Sequence, residues 1–228
     1  MNICIIPARG GSKRIPRKNI KNFSGQPIIS WSIKTALKSK CFSRVIVSTD
    51  DNEIAEISRR YGAEVPFKRL KSLSDDYTGT LPVIKNAINW LEKNNEKVDF
   101  ICCLYPTAPF IEVNYLKEGL KKLIENNASY SISVTSFPYP IQRAFKLTKN
   151  KRLKMFFPEN INKRSQDLEK SFHDAGQFYW GKRSAWLNEE RILGQDTVPI
   201  YIPRYKVQDI DNEEDWIQAE RIFNKTRN

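Results

Sequence analysis

Glycine and basic residues are concentrated in residues 7–19, directly after the first apolar run of the chain. The adjacent glycines Gly10 and Gly11 let the backbone approach an anion closely. Cationic side chains that pair well with phosphate oxygens fill the same segment, namely Arg9, Lys13, Arg14, Arg17 and Lys18. The segment matches neither the Walker loop nor the dinucleotide-binding fingerprint. It therefore predicts a phosphate site of another kind, with a flexible basic surface loop as the alternative.

Two aspartates, Asp209 and Asp211, stand two positions apart just before a predicted helix at residues 212–223. On an extended segment, residues two apart point to the same side, so both carboxylates can meet one cation. Mg²⁺ prefers carboxylates together with phosphate oxygens. Acidic residues also favour helix N-termini, so the residues alone leave metal binding and helix capping equally open.

Cysteine and histidine give weaker signals. The four cysteines form no C-x-x-C pair, which favours buried reduced thiols: Cys4, Cys41, Cys102 and Cys103. The single histidine, His173, has Ser171 and Asp174 nearby, but neighbours on one strand lack the spatial arrangement of a catalytic triad. We expect His173 to serve in a binding pocket or in the structure.

The elements that must position these residues alternate between strands and helices. Short apolar runs that favour strands occur at residues 3–6, 45–47, 100–104 and 130–135. Amphipathic helical patterns lie between them, and Pro27 and Asp50 are suited to begin two of these helices. The rhythm predicts one α/β domain over residues 1–228, with a mainly parallel sheet and helices on both faces. Residues 136–172, rich in proline, aromatic and basic residues, interrupt the rhythm and are interpreted as an inserted arm.

The charge balance favours anionic partners: 38 Lys and Arg against 26 Asp and Glu give a formal charge of +12. A nucleic-acid-binding domain is one reading, with Trp31, Trp90 and Trp186 as stacking platforms. These tryptophans fall in apolar helical patterns, however, and no nucleic-acid-binding motif occurs, so we expect no nucleic-acid partner. No apolar run approaches the roughly 20 residues that span a bilayer. With no signal-peptide pattern, we expect a cytoplasmic protein without a membrane partner.

The glycine-rich segment resembles a known family. Its residues 6–13, Ile-Pro-Ala-Arg-Gly-Gly-Ser-Lys, are similar to the signature loop of the CMP-sialic acid synthetase family of cytidylyltransferases. Agreement continues in chain order at residues 47–51, 73–76, 105–109 and 209–211. The resemblance covers essentially the whole chain. It implies a Rossmann-like nucleotidyltransferase fold, activation of an acidic sugar with CTP, release of pyrophosphate, Mg²⁺ as cofactor and a homodimer joined through the arm.

Three later segments resemble one branch of this family, which acts on the nine-carbon sugar acid pseudaminic acid: residues 164–169, 173–179 and 207–211. Tyr105 replaces a glutamine of the sialic acid branch, which favours a differently substituted nonulosonate. N-acetylneuraminate, legionaminate and deoxyoctulosonate are the alternative sugars.

The resemblance also implies site residues. Nucleotide binding is assigned to Ala8, Arg9, Gly10, Gly11, Ser12, Lys18, Asn19, Arg69 and Thr80. In catalysis, Arg9 contacts the phosphates and Lys18 steadies charge at the α-phosphate, while Asp209 and Asp211 hold the metal, Asp211 being essential for turnover. A surface arginine and a helix-capping threonine are the alternatives for Arg69 and Thr80. Sugar binding is assigned to Tyr105, Gln142, Arg143, Arg164 and Gln177, with the two arginines as partners for the carboxylate. Aromatic side chains of the arm are alternatively packed in a dimer interface: Phe137, Tyr139, Phe156 and Phe157.

Overall fold

The computed structural model describes residues 1–227. Its strands are β1 (Asn2–Pro7), β2 (Asn22–Phe23), β3 (Gln26–Pro27), β4 (Arg44–Ser48), β5 (Phe100–Leu104), β6 (Tyr130–Ser136), β7 (Phe145–Leu147), β8 (Leu153–Met155), β9 (Phe172–Lys182) and β10 (Thr197–Tyr201). The α-helices are α1 (Ile28–Ser39), α2 (Asn52–Arg60), α3 (Thr80–Lys93), α4 (Val113–Glu125), α5 (Arg183–Leu187) and α6 (Glu213–Arg227).

Six strands form the central sheet in the order β10-β6-β9-β5-β1-β4. β1 pairs in parallel with both β4 and β5, and β6 pairs in parallel with β10. β9 runs antiparallel to its neighbours β5 and β6. The carboxyl ends of β1, β4, β5 and β6 and the start of β9 therefore meet at one edge of the sheet. The predicted α/β fold with a mainly parallel sheet is confirmed.

Apolar strand residues explain why the sheet lies at the centre of the molecule. Every residue from 3 to 6 of β1 and from 101 to 104 of β5 is fully buried, as expected for strands covered on both faces. On one face α1 and α4 contribute Ile29, Ile33 and Leu116 to the core, and on the other face α3 contributes Ile84 and Ile88. The predicted layers of helices on both faces are therefore confirmed.

Gly119 shows how closely α4 lies against β9. A Cβ atom at this position would stand 2.7 Å from Cδ1 of Trp180 and 2.9 Å from Cε2 of Phe178. The indole N–H of Trp180 donates to the carbonyl oxygen of Leu116 at 3.0 Å. Glycine in the middle of this helix is thus required by packing, although glycine is a poor helix former.

Two predicted helix starts are shifted by one residue. Pro27 precedes α1 and belongs to the short β2–β3 ribbon. Asp51, not Asp50, caps α2, because its carboxylate accepts the N–H of Ile54 at 2.9 Å. Asp50 instead accepts the N–H of Gly10 at 3.0 Å, which ties the glycine-rich loop to the end of β4.

The interrupting segment folds as a small hairpin, β7–β8, flanked by short 3-10 turns. Several apolar side chains of this arm are exposed, among them Phe145, Leu147, Leu153, Phe156 and Ile161. Within residues 1–227, every helix is too short or too polar to cross a membrane.

Candidate active site

A cavity of about 600 Å³ opens at the sheet edge where β1 and β5 end. It brings together residues that are far apart in the chain. Those predicted from the sequence are Arg9, Ser12, Lys18, Asn19, Arg69, Thr80 and Tyr105. One cavity is therefore lined by predicted nucleotide-binding residues from the glycine-rich loop, from α3 and from the segment after β4.

Backbone contacts hold the glycine-rich loop in place. Ala8 is fully buried, and its N–H donates to the carbonyl oxygen of Ser48 at 2.9 Å. The side-chain amide of Asn19 donates to the carbonyl oxygen of Arg9 at 2.9 Å. A Cβ atom at Gly10 would lie 2.9 Å from Oδ2 of Asp51, whereas Gly11 has open space around it. Only Gly10 is required by close approach.

Carboxylates pair with the cations of the loop. Arg9 and Lys13 both contact Asp76, at 2.6 and 2.5 Å, and Arg14 contacts Asp211 at 2.7 Å. Hydrogen bonds from Lys13 and then Arg9 lower the pKa of Asp76. Each of these three cations of the loop therefore has a carboxylate partner, while the side chains of Lys13 and Arg14 stay 81% and 68% exposed.

Lys18 lies between the loop and the late aspartate segment. Its ammonium group donates to the carbonyl oxygen of Ile210 at 2.6 Å and stands 4.0 Å from Oδ1 of Asp211. Burial lowers the pKa of Lys18, because desolvation disfavours the charged form. A cation and a carboxylate separated by more than 190 residues thus meet at the cavity.

The capping contacts at the start of α6 are made by Asn212 and Asp215. The carboxylate of Asp215 accepts the N–H groups of Asp211 and Asn212 at 3.0 and 3.1 Å, and Oδ1 of Asn212 accepts the N–H of Asp215 at 2.9 Å. The side chain of Asp211 instead faces Arg14, and Asp209 lines a neighbouring cavity. Among the described residues no group of three or more His, Cys, Asp or Glu side chains is placed to hold a metal ion, so an ion bound by Asp209 or Asp211 would take its other ligands from water or a substrate.

Arg69 and Thr80 differ from the alternatives open at the sequence level. Arg69 is 5% exposed and donates to the carbonyl oxygen of Ser48 at 2.5 Å, so it is not a surface arginine. Burial lowers its pKa to about 10. Gly79 occupies the N-cap of α3, and the Thr80 hydroxyl lies 3.0 Å from that of Tyr105. Both residues therefore belong to the cavity wall.

A second cavity, of about 590 Å³, adjoins the first and shares Tyr105 and Thr107 with it. Its wall also includes His173, Asp174 and Tyr179. The Tyr179 hydroxyl donates to Oδ2 of Asp174 at 2.6 Å, and burial raises the pKa of Tyr179. Sequence reasoning did not assign Thr107, Asp174 or Tyr179, although all three fall within the matched segments at residues 105–109 and 173–179.

The other predicted sugar residues lie outside both cavity walls. In the arm, the Gln142 amide donates to the carbonyl oxygen of Glu169 at 3.0 Å, Arg143 contacts the carbonyl oxygen of Lys163, and Arg164 pairs with Asp167 at 2.7 Å. Gln177 is buried in β9 and donates to the carbonyl oxygen of Lys206 at 2.7 Å. Their roles toward a sugar stay predictions.

A sequence profile described as cytidylyltransferase matches residues 3–192, most of the chain. The chain belongs to the cytidylyltransferase family, which confirms the resemblance seen in its motifs. The structure of a CMP:2-keto-3-deoxy-manno-octonic acid synthetase complexed with CTP has the same fold, with a TM-score of 0.72 at 14% identity over 99% of both chains.

Individual relatives narrow the class. The chain is 49% identical to the pseudaminic acid cytidylyltransferase of Campylobacter jejuni over 97% of its own length and 96% of the relative. It is 34% identical to N-acylneuraminate cytidylyltransferase B of Danio rerio, over 95% of this chain and 50% of that protein. The branch inferred from the later motifs is thus also the branch of a close relative.

Proposed function

We propose that this protein transfers a CMP group from CTP to a nonulosonate, with pseudaminate as the sugar acid, and releases pyrophosphate. The main support for this proposal is the pair of adjoining cavities at the carboxyl edge of the sheet. The first of them is lined by basic residues and suits a triphosphate. The 49% identity to the Campylobacter jejuni enzyme over nearly the full length of both chains supports the choice of sugar.

The residues of the first cavity would bind and align the nucleotide. Arg9 lies on the loop whose backbone would approach the phosphates, and Lys18 lines the same cavity 4.0 Å from Asp211. The attacking group is the anomeric hydroxyl of the sugar, which displaces pyrophosphate at the α-phosphorus. Such a displacement depends on alignment and charge neutralisation more than on covalent catalysis. Tyr105 and Thr107, shared by the two cavities, mark where the sugar and the α-phosphate would meet.

Nucleotidyl transfer generally requires a divalent cation, and the donor set at this site suits Mg²⁺. Asp209 and Asp211 would hold it, because two carboxylates together with phosphate oxygens and water form its preferred surroundings. When bound, the ion would supply charge neutralisation on the triphosphate. Arg14, which pairs with Asp211 at 2.7 Å, would exchange this carboxylate for phosphate oxygens.

Pyrophosphate release across a matrix of substrates tests the proposal. We expect turnover with CTP and pseudaminate that exceeds turnover with N-acetylneuraminate, legionaminate or a deoxyoctulosonate, and little with UTP, ATP or GTP. Chelation by EDTA should stop turnover and added Mg²⁺ should restore it. A higher kcat/KM for N-acetylneuraminate would overturn the sugar assignment, and retention of nucleic acid on a filter without CTP turnover would overturn the enzyme assignment.

We further propose that two copies associate through the arm at residues 136–172 and that the protein works in the cytoplasm, where CTP is made. The exposed apolar side chains of the arm support the first point. Arg143 and Arg164, the candidates for the sugar carboxylate, and Gln142 line neither of the two cavities of their own chain, so we propose that the arm of a second copy brings them to the sugar.

A further inference from the structure

A third cavity, of about 570 Å³, continues from the second at the same edge of the sheet. The two share His173 and Val207, just as the first and second share Tyr105 and Thr107. The three cavities therefore form a row, with the basic loop at one end and the end of β6 at the other. Nothing in the proposed chemistry at the α-phosphate uses the third cavity.

Thr135 gives this cavity a buried polar group in need of a partner. The residue is 2% exposed and lines the cavity, yet its Oγ1 atom makes no hydrogen bond within the described residues. A buried hydroxyl without a hydrogen bond is unfavourable unless a ligand or a water molecule supplies the missing partner. Thr135 pairs directly with His173 across β6 and β9, so both side chains project from the same face of the sheet.

His173 has one ring nitrogen left for a ligand. Its Nδ1 atom lies 2.9 Å from the carbonyl oxygen of Asp174. A carbonyl oxygen only accepts, so Nδ1 is the protonated nitrogen in this contact. Nε2 is then the ring nitrogen that this contact leaves unused, and Oγ1 of Thr135 is the acceptor that the cavity offers.

Arg204 supplies the complementary donor. It is the only Lys, Arg, Asp or Glu among the described residues that line the third cavity, and within residues 1–227 it forms no ion pair. The turn that carries it is held from two sides. Gln177 donates to the carbonyl oxygen of Lys206 at 2.7 Å, and Lys206 pairs with Glu112 at 2.6 Å. The backbone of this turn is therefore fixed beside the cavity, and Arg204 lines the cavity from an exposed position.

A planar donor and a buried hydroxyl acceptor that line one cavity match an acylamino group, whose carbonyl oxygen accepts and whose N–H donates. The order of the cavities decides which part of the sugar reaches it. The anomeric carbon and its carboxylate must lie near the α-phosphate, at the junction of the first two cavities. The third cavity is one compartment further away. We propose that it binds an acylamino substituent on the far end of the sugar acid, with Arg204 donating to the acyl oxygen and Thr135 accepting from the N–H.

This inference rests on the proposed function, because it assigns a subsite to the sugar of that reaction. The variants are Arg204→Ala and Thr135→Val, which removes the hydroxyl at nearly constant volume. Arg191→Ala is the matched control, since Arg191 is exposed and adjoins Glu190, whose carbonyl oxygen accepts from Tyr130 at the opposite end of β6. Each protein is assayed with the acylated sugar acid and with the same acid bearing a hydroxyl in place of the distal acylamino group.

For the acylated sugar, Arg204→Ala should lower kcat/KM at least about tenfold, the usual loss for a hydrogen bond to a charged group. The KM for CTP should be unchanged, and the variant should treat the two sugars alike. Thr135→Val should show a smaller loss in the same direction, and Arg191→Ala none. By titration calorimetry, Arg204→Ala should weaken binding of the CMP-sugar but not of CMP.

The failures are distinguishable. If the wild-type protein releases no pyrophosphate with any sugar acid, the proposed function fails. If the wild-type protein is active but Arg204→Ala and Thr135→Val match it on the acylated sugar, the third subsite alone is wrong. An equal loss on both sugars, or a raised KM for CTP, would also reject it by showing that Arg204 acts through the structure.

Discussion

Solvent reaches the cations of the active site to very different extents. The side chain of Lys13 is 81% exposed and that of Lys18 is 20% exposed, while Arg69 is 5% exposed as a residue. A long basic side chain that is mostly exposed adapts to any nearby anion, whereas a buried one has a fixed position. Lys18 and Arg69 are therefore the cations whose geometry the protein sets before a ligand arrives.

Lys18→Ala should lower kcat by about 10²–10³-fold, as loss of a preorganised transition-state donor does. The affinity for CTP should change little, because Arg9 and the loop backbone remain. Single-turnover and steady-state measurements of pyrophosphate release separate the two effects.

Lys38→Ala, at an exposed position on α1, is the matched control for loss of one positive charge and should behave like the wild type. A rise in the KM for CTP at unchanged kcat would contradict the assignment and identify Lys18 as a residue that binds substrate and transition state equally.

For individual residues, the sequence motifs predicted membership of the cavity better than they predicted hydrogen-bond and ion-pair partners. Arg9, Lys18, Arg69 and Thr80 meet as expected, because the loop, β4 and α3 converge at one sheet edge. The partners of these residues were not predictable. The ion pair of Arg9 with Asp76 and the hydrogen bond from Lys18 to the carbonyl oxygen of Ile210 depend on side-chain and loop geometry. Sequence spacing carries no information on such distances.

Asp51 joins two elements, helix α2 and the glycine-rich loop. Its carboxylate caps α2 through the N–H of Ile54 and accepts two hydrogen bonds from Arg17, at 2.5 and 2.9 Å. These bonds, chiefly those from Arg17, lower the pKa of Asp51 from 3.8 to about 2. One side chain thus fixes the start of a helix and the far end of the loop.

Asp51→Ala should reduce the free energy of unfolding at pH 7 by about 1–2 kcal/mol, because a helix cap is lost together with the ion pair. Asp51→Asn should cost less, since asparagine also caps helices. The lowered pKa means that the folded state favours the charged carboxylate, so this stabilisation is complete above pH 3.8 and is lost as the pH falls toward about 2.

Urea unfolding followed by circular dichroism at pH 7 and at pH 3 measures both effects. The difference in the free energy of unfolding between the wild type and Asp51→Asn should be smaller at pH 3 than at pH 7. Glu56→Ala, which removes an exposed carboxylate of the same helix, should change stability by less than about 0.5 kcal/mol. A difference in unfolding free energy that grows on acidification would contradict the pH dependence expected from the lowered pKa of Asp51.

Elements with a regular apolar pattern were predicted closely, and the others were not. β5 coincides with the apolar run predicted at residues 100–104, and β6 extends one residue beyond the run predicted at 130–135. β9 starts at Phe172, well before its aromatic residues 178–180, and its first half carries His173, Asp174 and Gly176, which do not form an apolar run. That half is a strand through pairing with β6, a long-range interaction that local composition does not reveal.

On the scale of the whole molecule, the arm is the part whose surface is least typical of a monomer. Leu147 and Leu153 are 72% and 68% exposed and are paired across the β7–β8 hairpin. Lys146 and Lys154 form the next pair, on the opposite face. One face of the hairpin is therefore apolar and the other basic, and the leucine face is the one that the proposed association of two copies would bury.

The double variant Leu147→Ser/Leu153→Ser should shift the protein from dimer toward monomer in sedimentation velocity runs at micromolar concentration. Its far-ultraviolet circular dichroism should match the wild type, because neither leucine belongs to the core. Lys146→Ser/Lys154→Ser, on the other face, should leave the dimer intact. A wild-type protein that sediments as a monomer would reject the arm as a dimer contact.

The carboxylates that hold the loop cations also affect which anions can bind there. Asp76 and Asp211 already occupy Arg9, Lys13 and Arg14, so an arriving anion must take over existing ion pairs. Inorganic phosphate would swap one partner for another at little net gain, whereas a triphosphate replaces several at once and enjoys a chelate advantage. If the pocket binds CTP as proposed, we expect these ion pairs to make it discriminate against small anions in favour of nucleotides.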